Sequence, residues 1–177
     1  MANKRTQKVI FLTMGFTLVE LVVVVLLVAI LAAVALPRFI SVDDNAHLAR
    51  AATTAAALQS SVQLAHSVWQ LQAGGQPAEN LPVFGPGPDG QIDFNANGWP
   101  SQQWFGGIEA NPTLNNVADC ISISNALLLG STVIALTSDA DLQPAYLGSG
   151  VCRYTFTAAP ALSLEYNSNT GAITRNF

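Results

Sequence analysis

The chain has 177 residues, half of them hydrophobic and only 10% charged, with 7 Lys or Arg against 11 Asp or Glu and a formal net charge of −4. That length allows one ordinary domain with an appendage. The shortage of basic residues excludes generic capture of nucleic acid, which depends on Lys and Arg neutralising phosphates.

The charges are unevenly placed. Lys4, Arg5 and Lys8 give the segment before Gly15 a charge of +3, whereas four basic and 11 acidic residues follow from Phe16 onward. Phe16 to Leu36 reads FTLVELVVVVLLVAILAAVAL, 21 residues in which Glu20 is the only charge. At 1.5 Å per residue this is about 31 Å of helix, enough to cross a hydrocarbon core of about 30 Å. Positive charge in front of the run puts the N-terminus in the cytoplasm and the body across the membrane. A secretory signal peptide has an apolar core of about 7 to 15 residues followed by its cleavage site. Here the run is longer, and the candidate cut site, Gly15, lies in front of it. A charge inside such a run costs about 2.5 to 3.5 kcal/mol even on insertion scales, so Glu20 needs a reason.

The basic leader, the GFTLVEL run and the long apolar stretch together resemble the prepilin signature of the type IV pilin superfamily. The resemblance implies that a membrane peptidase cuts after Gly15 and that the new N-terminal residue, Phe16, is methylated. It also implies that Glu20, fifth in the mature chain, pairs with the amine of an adjoining subunit during filament assembly. Met14 departs from the second glycine common in the family, which bears on cleavage efficiency alone. An ammonium on Phe16 and a carboxylate on Glu20 are each costly in the acyl region without the other. A carboxylate that reaches water at the membrane interface is the alternative reading of Glu20.

Pro37 follows the apolar run and predicts a helix break or kink, because proline removes a backbone hydrogen bond and crowds the preceding turn. In the family a proline here marks a loosening of the long helix; a simple helix terminator fits as well. A second helical stretch is expected to start with Asp43 or Asp44 as N-cap and to stop at Gly74-Gly75. Leu48, Ala51, Ala55, Leu58, Val62, Ala65 and Trp69 form an apolar stripe at steps of three and four. Arg50 is the only charge between Ala46 and Ala78, so this helix is expected to be covered on several sides.

Pro and Gly cluster from Gly74 to Pro100, which predicts a loop-rich connection. GPGPDG, Gly85 to Gly90, matches a dinucleotide-binding pattern only formally, with two prolines inside it and no strand-helix context. DFNANG matches the opening of a calcium loop through Asp93, Asn95 and Asn97, but Trp104 stands where the bidentate glutamate belongs. An Asn97-Gly98 tight turn is the favoured reading. Around Cys120 the periodicity fits either a short helix or a buried strand. In VCRYTFT, Cys152, Tyr154 and Phe156 alternate with polar residues, and Leu162, Leu164 and Tyr166 alternate in ALSLEYN. With a last strand near Ile173, this predicts an antiparallel meander with one face on the core.

Cys120 and Cys152 read first as one disulfide in a chain with an export-type N-terminus, with two independent buried thiols as the alternative. His47 and His66 lack H-E-x-x-H spacing and no G-x-S-x-G occurs, so no enzyme, metal site or cofactor is expected.

The whole resembles the pilin architecture, an α+β fold in which a long N-terminal helix, half apolar and half amphipathic, packs on a small antiparallel sheet. Over the head, the NANGWP turn, the cysteine spacing and the CRYTF strand look most like pilins of the mannose-sensitive haemagglutinin type, minor ones included. The resemblance implies a leader over 1–15, a membrane and filament-core helix over 16–36, its amphipathic continuation over 37–75 and a head over 76–177. It further implies a homopolymeric or mixed pilin filament, with a prepilin peptidase and an inner-membrane assembly platform as partners. The subunit would sit in the inner membrane before assembly and on the cell surface afterwards. A type II secretion pseudopilin is one rival, favoured by calcium in the head and no disulfide. The other is a membrane-anchored binding module that never polymerises.

Overall fold

The structure, a computed structural model, describes residues 15–103 and 109–177, and the backbone alone over 36–42. Helix α1 spans Leu18–Gln72. The chain divides into two compact units at Asp43 and Asp44: the first contains the apolar part of α1, the second the remainder of α1 and every strand.

Helical backbone continues through Pro37 and through Asp43-Asp44. The expected N-cap at Asp43 or Asp44 is therefore absent, since no helix begins there. Proline takes away one N–H, and the Ala- and Leu-rich run before it, Ile30 to Leu36, carries the helix into that single gap. The side chain of Pro37 lies outside the described residues.

From Ala51 onward the stripe is buried: Ala51, Ala55, Leu58, Val62, Ala65 and Trp69 enter the core. Leu48 does not, remaining 43% exposed one turn ahead of the first covered position. Gly74 and Gly75, both at positive φ, follow the helix end.

The connection from Gly74 to Pro100 is not simply loop. It contains a three-stranded antiparallel sheet in the order β1-β2-β3, formed by Ala78–Pro82, Gln91–Phe94 and Pro100–Gln102. Three to five residues per strand is too short for alternation to emerge, and prolines occupy strand ends where they cost least in ladder hydrogen bonds. Ile92 and Phe94 bring this sheet onto the α1 stripe as part of one core.

Helix α2, Val117–Leu127, resolves the ambiguity around Cys120. Asn116 is its N-cap, accepting from the amides of Ala118 (2.7 Å) and Asp119 (3.1 Å). A second antiparallel sheet runs β4-β5-β6-β7 as a meander, over Leu142–Gly148, Val151–Phe156, Ser163–Asn167 and Ala172–Asn176. Cys152, Tyr154, Phe156, Leu164 and Tyr166 point into the core, as their alternation predicts. The architecture is α+β: a long N-terminal helix and antiparallel sheets. Tyr154 donates to the Cys120 carbonyl (3.0 Å) and Tyr166 to the Pro100 carbonyl (2.6 Å). Burial pushes both phenols well above the ordinary tyrosine range.

Candidate functional site

The most unusual surface of the molecule is the N-terminal part of α1. Over Leu18–Ala35 no residue is buried, and the segment is long and apolar enough to cross a membrane. Leu18 (78%), Leu31 (69%) and Val34 (65%) show how open it is, and the exposed apolar positions lie all round the helix rather than on one stripe. A helix apolar on every side is covered in its working state, by lipid or by other helices.

Glu20 lies in the first turn of this helix. The Glu20 amide donates to Thr17 Oγ1 (3.2 Å), and the Leu21 amide donates to the Thr17 carbonyl (3.2 Å). Thr17 is thus a helix N-cap, and Thr17-Leu18-Val19-Glu20 has the T-x-x-E spacing of a capping box. Sequence reasoning passed over this signal although the spacing was in view. The cap places the Glu20 carboxylate at the positive end of the helix dipole, a favourable location worth about 0.3 to 1 kcal/mol. Phe16 precedes the helix and is 74% exposed, and Glu20 is exposed four positions later. Gly15 is the first residue described, and the leader ahead of it lies outside the described residues.

Cys120 on α2 and Cys152 on β5 are joined by a disulfide, with Cα atoms 5.7 Å apart. Both are fully buried, and the Tyr154 hydrogen bond holds the Cys120 backbone from the same sheet. The link ties the helical side of the head to the centre of the meander.

Asp93, Asn95 and Asn97, the calcium-loop candidates, sit in a hydrogen-bonded turn of the head. Asp93 Oδ1 accepts from the Asn80 amide (2.7 Å). Asn95 Oδ1 accepts from the amides of Asn97 (3.0 Å) and Trp99 (3.2 Å), while its Nδ2 donates to the Ser168 carbonyl (2.6 Å). The Gly98 amide closes a tight turn on the Asn95 carbonyl (2.9 Å), so the central pair is Ala96-Asn97 rather than Asn97-Gly98. Trp104 lies outside the described residues. Among the described residues, no group of three or more His, Cys, Asp or Glu is placed to hold a metal ion.

Near the start of the second unit, Arg50 on α1 pairs with Asp141. The Val133 amide also donates to Asp141 (2.9 Å), and these contacts, the amide foremost, hold its carboxyl below the usual range.

A stretch of 63 residues is 43% identical to the type IV narrow pilus major component PilA5 of Thermus thermophilus, covering 36% of this chain. The chain is similar to a type IV pilin. The match spans about half, 51%, of the length of that relative. No protein-family model matches the chain, and no solved structure gives a significant match.

Proposed function

We propose that the chain is a structural subunit of an extracellular type IV pilus, assembled through its N-terminal helix after cleavage behind Gly15 and methylation of Phe16. The observation that carries this reading is an apolar helix, Leu18–Ala35, with no cover from its own described residues and one carboxylate, Glu20, in its first turn. Similarity to a narrow-pilus component over 63 residues supports it.

The precursor waits in the inner membrane with residues 1–15 as leader, 16–36 as the span and the head, 76–177, on the far side. Removal of the leader by a prepilin peptidase frees an amine at Phe16, and an assembly platform transfers the helix from lipid into a helical bundle, homopolymeric or mixed. Lipid covers apolar side chains as well as a bundle does, so transfer out of water does not drive this step. Side-chain packing and charge pairing drive it. The amine of an incoming subunit meets Glu20 of its neighbour, and each charge offsets the cost of the other in a low-dielectric surrounding. The head forms the outer surface, where it serves adhesion, attachment or motility.

Glu20→Ala tests the pairing. The variant is expected to insert and to be processed normally yet to give no filaments by electron microscopy of sheared surface material. Normal filaments from this variant would overturn the charge-pairing account.

A further inference from the structure

A cleft of about 350 Å3 opens at the C-terminal end of α2, where Asn125, Leu129 and Gly130 face Asp89 of the Pro88–Gly90 turn and Gln103, the residue after β3. The last turn of α2 has no basic residue, so the negative end of its dipole has no cation of its own. Leu129 sits at φ +51, in the left-handed region that L side chains rarely adopt, and it is 64% exposed.

The hydrogen bonds around the cleft commit its carboxamide nitrogens and leave its oxygens over. Gln103 Nε2 donates to the carbonyls of Pro88 (3.0 Å) and Gln91 (3.2 Å), and the Gln103 backbone amide donates to Ser122 Oγ on α2 (3.2 Å), which ties the walls together. Asn125 Nδ2 donates to the Ile134 carbonyl (3.4 Å). A carbonyl can only accept, so both carboxamides are fixed in orientation, and neither Gln103 Oε1 nor Asn125 Oδ1 has a partner among the described residues. The Asp89 carboxylate has none either. Three unspent acceptor groups, one of them charged, therefore lie beside an exposed leucine. A guanidinium is their complement: five N–H donors, no acceptor, a positive charge and an aliphatic stem.

The charges of the chain itself point to the source of that guanidinium. The second unit, Asp44–Phe177, contains three basic residues, Arg50, Arg153 and Arg175. Arg50 pairs with Asp141 and Arg153 with Glu165. Arg175 on β7 is exposed and has no ion pair among the described residues. It lies across the sheet from the cleft of its own chain: α2 packs against β3 and β4, whereas β7 is the opposite edge of the meander, three strand spacings or about 14 Å from β4.

We propose that this cleft receives Arg175 from a second copy of the chain. The guanidinium meets Asp89 and the two carboxamide oxygens at the negative end of α2, and the methylene stem covers Leu129. The tied walls of the cleft reduce the ordering cost of the contact. Two different patches are joined, so the contact is heterologous: each head takes an arginine from one neighbour and gives its own to another. Such contacts run on into a ring or an open helical row. The inference rests on the filament reading above, which requires the open row, and adds a specific contact between heads to the one between N-terminal helices.

Arg175→Lys keeps the charge and introduces the only lysine after position 8. Filaments of this variant, sheared from cells, are treated with a water-soluble carbodiimide, which joins a carboxylate to an amine that touches it. The expected product is a covalent multimer whose junction peptide links position 175 to Asp89, absent from the wild type and from a chain that also carries Asp89→Asn. Links from the Phe16 amine to Glu20 occur in all three and are told apart by their peptide. Independently, Asp89→Arg and Arg175→Asp should each lower the yield of sheared filaments roughly fivefold, and the double variant should recover it, because the pair persists with its signs exchanged. Filaments that lack the junction overturn the docking, as does a double variant no better than the single ones, and in either case the filament reading stands. A wild-type chain that gives no filaments overturns both.

Discussion

His66 lies flat against Trp99, with ring centroids 3.9 Å apart and planes 15° from parallel. It also stacks on Trp69 of its own helix, at 5.3 Å. The Gly98 carbonyl, 2.7 Å from Nδ1, can only accept, so Nδ1 carries the proton and Nε2 faces the Gln70 amide at 2.9 Å. One side chain thus clamps α1 to the β2–β3 turn. An aromatic stack is worth about 0.5 to 1.5 kcal/mol and the hydrogen bond about 1. His66→Ala should cost the head about 1.5 to 2.5 kcal/mol in urea unfolding followed by tryptophan fluorescence, and His66→Phe should recover the stacking part. Wild-type stability in His66→Ala would remove the clamp from the account.

The same tryptophans set the tolerance of two glycines. A Cβ on Gly98 would fall 2.2 Å from the Trp69 ring and one on Gly171 would fall 2.2 Å from the Trp99 ring. Both residues also sit at positive φ, 76° and 68°. Gly148, with φ 93° and nothing within 4 Å, carries the backbone penalty without the clash. Gly148→Ala should lose about 1 kcal/mol, and Gly98→Ala and Gly171→Ala about 1 to 3 kcal/mol more. Equal losses at all three in thermal unfolding would mean the rings move aside freely.

The Cys120–Cys152 disulfide spans 32 positions of sequence. In the chain-entropy description a loop of that size contributes roughly 3 to 4 kcal/mol. The Cys120→Ser/Cys152→Ser double variant should therefore unfold at clearly lower temperature and lower denaturant. An unchanged midpoint would show that the two sheets and α2 hold together without the link.

Asp141 gives the head an acid limit. Its carboxyl is held below the ordinary value by the Val133 amide first and Arg50 second. A depressed folded-state pKa means stability that is complete above the unfolded value, about 3.9, and is lost as pH falls through the lower folded value. Stability should thus be flat from neutral pH to about 4 and decline below it, and Asp141→Asn should flatten the decline at the expense of stability at neutral pH. Because both partners are partly exposed, the effect is modest. An acid limb of identical slope in the variant would assign it to other carboxylates.

How much of this was legible in advance depended on the length of each pattern. The α1 stripe and the alternation of Cys152, Tyr154, Phe156, Leu164 and Tyr166 were readable because several residues repeat one period. The three-stranded sheet was hidden because strands of three to five residues carry prolines and only Ile92 and Phe94 alternate. Strand β4 was hidden by Pro144 and Gly148, tolerated near the rim of the meander. At the N-terminus the lone carboxylate of Glu20 was visible, but its cap, Thr17, was overshadowed by the apolar run that follows.

Intact-mass and N-terminal analysis of the chain in material sheared from the cell surface tests the central claim most directly. The account predicts a chain that begins at Phe16, carries one added methyl group and has Cys120 and Cys152 oxidised. A chain that still begins at Met1 and is found only in membranes would contradict it, and would leave an anchored module that never enters a filament.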